Sequence, residues 1–462
     1  MKTVNYAKSI PVTDEFDVVV CGGGPAGIGA AIAAAERGAK TALIERFGFL
    51  GGMATAGYVN PMSEFAYNGR QVSGGIPWRF AEEMVAMGGA MVEAPRCNIS
   101  FNPEVYKLVA QRMVEKAGVK TFMNAYIADC VKEAGCTAEA VSGATADCAA
   151  DADCEQAAAR EEKITGVVIV NKSGMQVIGG KYFIDATGDG DLAHFAGVPM
   201  LPQLRDLQPG TLCFCLAGVD TSTDRMHIIH QKNHRFNHQA GFVRDALFAL
   251  REQGVHVPKF GGPWLATTMV PGCITVNLTR AAMDATDSED LQKAECQMRE
   301  DVFCLVGLMK EHVGEFKNCY ITSIATVAGV RESRRIAGLH VLTGQEYVKA
   351  YHFEDAVARA CHAVDIHLPG DEGQILTFPE DAGFIPYRSL IAENFPNLLV
   401  AGRAISADAD AFAAIRVQVP CMETGQAAGV AAALCLKEGG TSVLELDSAK
   451  VVEEVRKEGS KV

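Results

Sequence analysis

The chain has 462 residues, of which 48% are hydrophobic and 21% charged, and its formal net charge is −14 at pH 7. That length allows about two or three domains with a large core, and the composition is that of an ordinary globular protein. The acidic balance and the lack of any basic run argue against nucleic acid or an anionic membrane surface as a partner. The opening residues, MKTVNYAKSIPVTDEF, hold no apolar core of a signal peptide, and no uninterrupted apolar stretch reads as long enough to cross a bilayer. None of the 15 cysteines falls in a C-x-x-C pair. That speaks against a zinc ribbon or a dithiol motif, and for free thiols in a reducing cytoplasm.

In chain order, the first strong signal is residues 17–45, DVVVCGGGPAGIGAAIAAAERGAKTALIE. The apolar run Val18-Val19-Val20 reads as a short buried strand. Residues 22–27 fit G-x-G-x-x-G, followed by a small-residue helix and a second strand ending at Glu45. Gly22 suits a tight turn, Gly24 lets backbone approach a pyrophosphate, and Gly27 lets the helix lie close on the strand. The helix N-terminus offers free N–H groups to an anion, and Glu45 stands where a carboxylate takes a ribose hydroxyl pair. Strand, glycines, helix, strand and terminal acid in that order point to a dinucleotide site.

Beyond Glu45, Gly51, Gly52, Ala54 and Thr55 suit a loop passing close to a ligand. Helices are predicted near 78–87 and from Asn102-Pro103-Glu104 to about 117, and a third parallel strand at 119–123. A strand at 126–132 should pair with 164–171 and with 175–179. Between them, residues 134–163 are rich in Ala, Asp and Glu and read as a hairpin-tip insertion. Residues 181–190, KYFIDATGDG, form a strand running into a turn. Residues 199–379 are assigned to an inserted α+β substrate or cap domain. The first pattern then returns: a strand near 397–403 enters a glycine turn, and Pro420 opens a helix with a face of Gly425, Ala428, Gly429 and Ala432, suited to close helix–sheet contact. The expected architecture is α/β: a discontinuous Rossmann-like dinucleotide domain, residues 1–198 and 380–462, in a three-layer ββα arrangement.

Taken together, CGGGPAGIGAA, ERFGFLGGMATAG, IDATGDGDLA, GVRESRRIAG, AVDIH, IPYRSL and LLVAGR…IRVQVPCMETGQAAG resemble an FAD-dependent oxidoreductase of the glutathione-reductase superfamily. The likeness extends to the flavin module of heterodisulfide reductase and covers nearly the whole chain outside 134–163. It implies FAD as cofactor. Gly22, Gly24, Pro25, Ala26 and Gly27 would hold the pyrophosphate, and Glu45, with Arg46 beside it, the adenosine ribose. Gly51, Gly52 and Met53 would line the flavin, Ala186, Thr187 and Gly188 would pass near the adenosine half, and Ala54, Thr55 and Ile127 would also bind the cofactor. Gly402 and Arg403 would approach the ribityl chain, although many relatives carry an acid where this chain has Arg403. The helix with Pro420 and Thr424 would point at the pyrimidine edge of the ring, where its N-terminus would stabilise charge on the reduced flavin.

Hydride transfer also needs a proton carrier and a cation to orient the substrate. Asp365 and His367 face one side of a strand, where the carboxylate would raise the basicity of the imidazole. Arg331, Arg334 and Arg335 would share a helix face as one cationic patch for a substrate carboxylate. Tyr387 precedes the final flavin strand and would lie near the ring. Cys421, at a helix start, is a candidate for a lowered pKa. His227, His230, His234 and His238 form a stripe if helical, without the spacing of a single metal site. The expected function is hydride transfer between flavin N5 and a carbon of a small polar organic substrate. The alternatives are an electron-transfer flavoprotein subunit serving an iron–sulfur redox partner protein, and a non-redox FAD-binding protein.

Overall fold

Val18, Val19, Val20 and Cys21 are completely buried and end β1 (Val12–Cys21), a middle strand of the main sheet. An apolar run without alternation is what a strand covered on both faces needs. The computed structural model describes residues 3–93, 98–134, 161–226, 240–369 and 373–462. After β1 come α1 (Pro25–Glu36) and β2 (Thr41–Glu45), which pairs parallel with β1. Two small hairpins follow, β3 (Ala66–Tyr67) with β4 (Arg70–Gln71) and β5 (Ala90–Glu93) with β6 (Asn98–Phe101), on either side of α2 (Gly75–Ala86). Asn102 caps α3 (Pro103–Lys116) by accepting from Glu104 N, and the chain enters β7 (Lys120–Met123), parallel to β2.

β8 (Tyr126–Ala134) and β9 (Glu162–Asn171) form an antiparallel hairpin, and β9 then pairs with β10 (Gly174–Asp185). The expected pairing of the first of these strands with residues 175–179 does not occur. One edge of β10 carries β1, and at residues 174–179 the other carries β9, so no edge is left for β8. The 134–163 insertion leaves from the hairpin tip, where Ala134 faces Glu162; residues 135–160 lie outside the described residues.

After α4 (Asp191–Ala196) the chain builds a second, antiparallel sheet in the order β12-β13-β11-β14. Its parts are β11 (Phe214–Ala217), α5 (Gly241–Glu252), β12 (Phe260–Thr267), β13 (Ile274–Thr279), α6 (Ser288–His312) and β14 (Tyr320–Ile324). It has its own core, centred on Phe214, Phe260, Leu305 and Phe316. The histidine stripe falls at 227–239, outside the described residues. Next come α7 (Gly344–Val348) and two antiparallel pairs. These join β15 (Ala356–Ala360) to β18 (Gly383–Pro386), and β16 (Val364–His367) to β17 (Gln374–Thr377). Ile336, Leu342, Tyr347 and β15 pack into the first core, ahead of residue 380.

β19 (Leu398–Val400) then pairs parallel with the C-terminal end of β10, so the two ends of the chain share one sheet. α8 (Ala409–Ile415), α9 (Gln418–Lys437) and α10 (Ser448–Lys457) complete the chain. The small-residue face of α9 meets α1, where the sequence suggested the sheet. A Cβ at Gly425 would lie 1.9 Å from Ala26 O, and one at Gly429 2.2 Å from Ala30 O. The two helices cross at backbone distance, which is possible only where a side chain is missing. By length and mean composition α9 is apolar enough to span a membrane, although Glu423 and Gln426 interrupt it; 89% of its apolar window is buried in this fold.

Candidate functional site

The glycine turn is held by close contacts that exclude side chains. Gly22 has φ +100°, and a Cβ there would meet Ala186 O at 2.4 Å; at Gly27 a Cβ would meet Gly22 O at 1.7 Å. Gly24 differs, because a Cβ there meets only Gly52 Cα at 3.8 Å and would stand in open space. That space is a cleft of about 700 Å³, its mouth included, lined by Gly22, Gly24, Pro25 and Ala26 among others. Gly24 is the N-cap of α1 and brings no side-chain cap, so the positive end of the helix lies at the cleft.

Glu45, at the end of β2, accepts hydrogen bonds from Gly23 N at 2.7 Å and Phe47 N at 2.8 Å. Burial pushes its carboxyl above the usual range, and these two N–H groups pull it back. Gly51 N donates to Gly23 O at 2.8 Å, which ties the next loop to the turn and sets Gly52 and Met53 at the cleft. On the facing side, buried Asp185 accepts from Thr187 N, Thr187 Oγ1 and Ala193 N. These bonds shape the Ala186–Thr187–Gly188 wall. Gly402 N donates to Thr424 Oγ1 at 3.1 Å, and Arg403 pairs with Asp189 at 2.7 Å. An acid therefore does stand beside Arg403, supplied by another loop.

Thirteen of the sequence candidates line this cleft: Gly22, Gly24, Pro25, Ala26, Glu45, Arg46, Gly52, Met53, Ala186, Thr187, Gly188, Gly402 and Arg403. The others sit behind it. Gly27 and Gly51 close the backbone, and Thr55 Oγ1 donates to Leu50 O at 2.8 Å beside buried Ala54. Thr424 holds Gly402, Pro420 is buried in α9, and Ile127 packs against the core. Phe47, Asp189, Arg416 and Gln418 line the cleft and were not foreseen. Cys421 also lines it, but burial pushes its thiol up to about 12, the opposite of the helix-start expectation. Bare glycine backbone, a helix N-terminus and one buried carboxylate fit the dinucleotide that the resemblance implies.

A second cavity, about 1020 Å³ with its opening, adjoins the first, and Met53, Arg403, Arg416 and Gln418 line both. The second sheet and the loop before it contribute Thr211, Trp264 and Asn277; Asn60, Ser63, Arg331, His362, Asp365 and His367 add further polar lining. Arg280 Nη2 lies 2.8 Å from His367 Nδ1. A guanidinium only donates, so Nδ1 accepts, and Nε2 carries the proton that it donates to Asp365 Oδ2 at 3.0 Å. The pairing of Asp365 with His367 is thus present, but the imidazole is not made more basic. Burial, with Arg331 nearby, pushes it down to about 3. Burial alone would raise Asp365; the contacts with His367 and Arg416 hold it below the usual carboxylate range.

The arginine patch is not formed. Residues 331–335 form no helix, so the three side chains do not share a helix face. Arg334 pairs with Asp191 at 2.8 Å, and Arg335 lies over the Phe412 ring. Arg331 alone reaches the cavity, with Nη1 donating to Pro209 O at 2.7 Å. Burial, with Arg416 and Arg280 close by, lowers it to about 9. Tyr387 is buried away from both spaces, its hydroxyl donating to Val443 O at 3.3 Å. His362 escaped notice in the sequence because a lone histidine carries no pattern. Its buried Nδ1 has no hydrogen-bond partner among the described residues and lies 3.8 Å from Glu64 Oε1.

A family model described as FAD dependent oxidoreductase matches residues 17–458. A dihydrolipoyl dehydrogenase of Trypanosoma brucei brucei is 51% identical over 47 residues, 10% of each chain. A thiamine thiazole synthase of Methanococcus vannielii is 29% identical over 182 residues, 38% of this chain and 56% of that one. The chain therefore matches between a tenth and about half of the length of these two relatives. Among solved structures, a flavoprotein/dehydrogenase from Cytophaga hutchinsonii is similar with a TM-score of 0.46 at 13% identity, over 96% of this chain and 83% of that one.

Proposed function

Because this chain belongs to the FAD-dependent oxidoreductase family, and is an enzyme whose cofactor is FAD, we propose that it moves hydride between flavin N5 and a carbon of a small polar organic substrate. The observation that carries this reading is the junction of the two spaces through Met53, Arg403, Arg416 and Gln418. A substrate in the second cavity then lies against whatever fills the glycine cleft. Residues 22–27 and the N-terminus of α1 would hold the pyrophosphate, and Glu45 the ribose. Gly402 and Arg403 would meet the ribityl chain, and the first turn of α9 would meet the ring. Bound FAD supplies two-electron redox chemistry.

The chain's own residues do the rest. Thr211, Asn277 and Arg331 orient polar groups of the substrate, and Trp264 covers part of the cavity wall. His367, with both ring nitrogens engaged, holds Arg280 and Asp365 in place and has no free nitrogen for substrate. We assign the proton to His362 instead, which lines the cavity. The test is anaerobic mixing of the purified enzyme with a panel of small polar compounds. At least one should bleach the flavin absorbance or restore it. His362→Asn should slow that step by about 100- to 10,000-fold while keeping FAD bound. A panel in which no compound changes the flavin would sink the reading.

A further inference from the structure

We infer that the second cavity is a binding site for a small organic carboxylate, with Arg331 as its counter-charge. The redox reading above says what happens to that acid; its recognition stands on the cavity alone.

Arg331 is only 8% exposed, yet its assigned partners are neutral. Nη1 donates to Pro209 O at 2.7 Å, and Nη2 lies 3.5 Å from the amide oxygen of Asn277. Among the described residues no carboxylate forms an ion pair with it. Arg416, with a side chain 12% exposed, stands 3.9 Å from Asp365 Oδ2, and Asp365 already accepts from His367. Around this cavity the guanidinium groups of Arg331 and Arg416 thus have Asp365 as their nearby carboxylate, while a third, that of Arg280, donates to the neutral imidazole of His367. Buried charges are paired in folded proteins, and a guanidinium does not escape by losing its proton at neutral pH. The wall therefore carries an uncompensated positive charge, and an anionic ligand would neutralise it.

The cofactor does not meet that need. Arg331 lines the second cavity and not the glycine cleft, and Arg403, at the junction, is already paired with Asp189. The remaining wall sets the kind of anion. Met53, Val59, Val330 and Trp264 offer apolar surface for a short carbon skeleton. Thr211 Oγ1 donates to Asn277 Oδ1 at 2.9 Å, so a fixed polar pair stands beside the guanidinium fork. A planar fork next to an apolar wall suits a carboxylate on a small organic body better than a compact inorganic anion.

Titration calorimetry of the FAD-loaded protein with propionate, propionamide and inorganic phosphate at matched ionic strength tests this. Propionate should bind and propionamide should not. Arg331→Met should weaken propionate about 10- to 100-fold, the loss of one charge-assisted contact. Since that variant also strips Pro209 O of its donor, Asn277→Asp is the second arm. It keeps an acceptor for Thr211 and places a permanent carboxylate beside the guanidinium, so the fold should survive and propionate binding should fall by a similar factor. Equal binding of propionamide, phosphate binding without propionate binding, or an unchanged Asn277→Asp protein would overturn the inference. Arg331-dependent propionate binding in a protein whose flavin no compound reduces would refute only the redox reading. Bleaching by a neutral compound, unaffected in Arg331→Met, would refute only the carboxylate site.

Discussion

His367 has Arg280 on one ring nitrogen and Asp365 on the other, and burial, with Arg331 nearby, outweighs the carboxylate in deciding its charge. The spacing of Asp365 and His367 made their pairing legible, because two residues apart on a strand share a face. The arginines that offset the carboxylate come from residues 280, 331 and 416, and nothing local to 365–367 announces them. The consequence for stability follows from the direction of the shift. Unfolded, the imidazole titrates near 6.5; folded, it is pushed down to about 3. Between those values the unfolded chain binds a proton that the folded chain does not, so stability falls as pH drops from 6.5 toward 3. Asp365, held low in the fold, adds to the loss at the acid end. His367→Gln should therefore flatten the pH dependence of the unfolding free energy by about 1.4 kcal/mol per pH unit between about pH 4 and 6. Denaturant titrations across that range measure it, and equal slopes in the two proteins would contradict the assigned protonation state.

At the scale of elements, the crossing of α1 and α9 is what brings the cleft together. Each helix has its N-terminal turn at the ligand space, and each presents glycine to the other: Gly29 meets Met422 O, and Gly425 meets Ala26 O. The stretch GQAAG showed that something must approach closely. It did not show what, since a missing side chain admits a helix or a sheet alike. Gly425→Ala would place a Cβ 1.9 Å from a backbone oxygen that no rotamer change can move. Destabilisation of about 1–3 kcal/mol or more is expected, with loss of bound FAD because the first turn of α1 must shift. Gly307→Ala in α6 is the matched control: its Cβ meets nothing within 4 Å, and the change should stabilise by about 0.5–1 kcal/mol. Thermal unfolding and retained flavin absorbance read both, and a Gly425→Ala protein as stable as its parent would disprove the contact.

For the whole molecule, the cleft draws on residues from Gly22 to Cys421, and β19 joins β10 in the sheet that opens with β1. A ligand bound there couples both ends of the chain to one folding event. FAD added to the deflavinated protein at a hundred times its Kd should stabilise it by about 2.7 kcal/mol, read as a rising Tm on titration; a Tm indifferent to FAD would contradict the placement of the cofactor. The amino-acid sequence by itself determined the glycine turn, the acid that closes it and the FAD-dependent family, but not the full strand order, since the strand at 126–132 was misplaced. Those features are local, because a positive φ or a missing Cβ is a property of one residue and its immediate neighbours. Only the tertiary structure decided which of three nearby arginines faces the cavity, that Arg416 and His362 join it, and that His367 is neutral. Side-chain direction and buried charge depend on groups brought together from distant parts of the chain, and no stretch of sequence carries that sum.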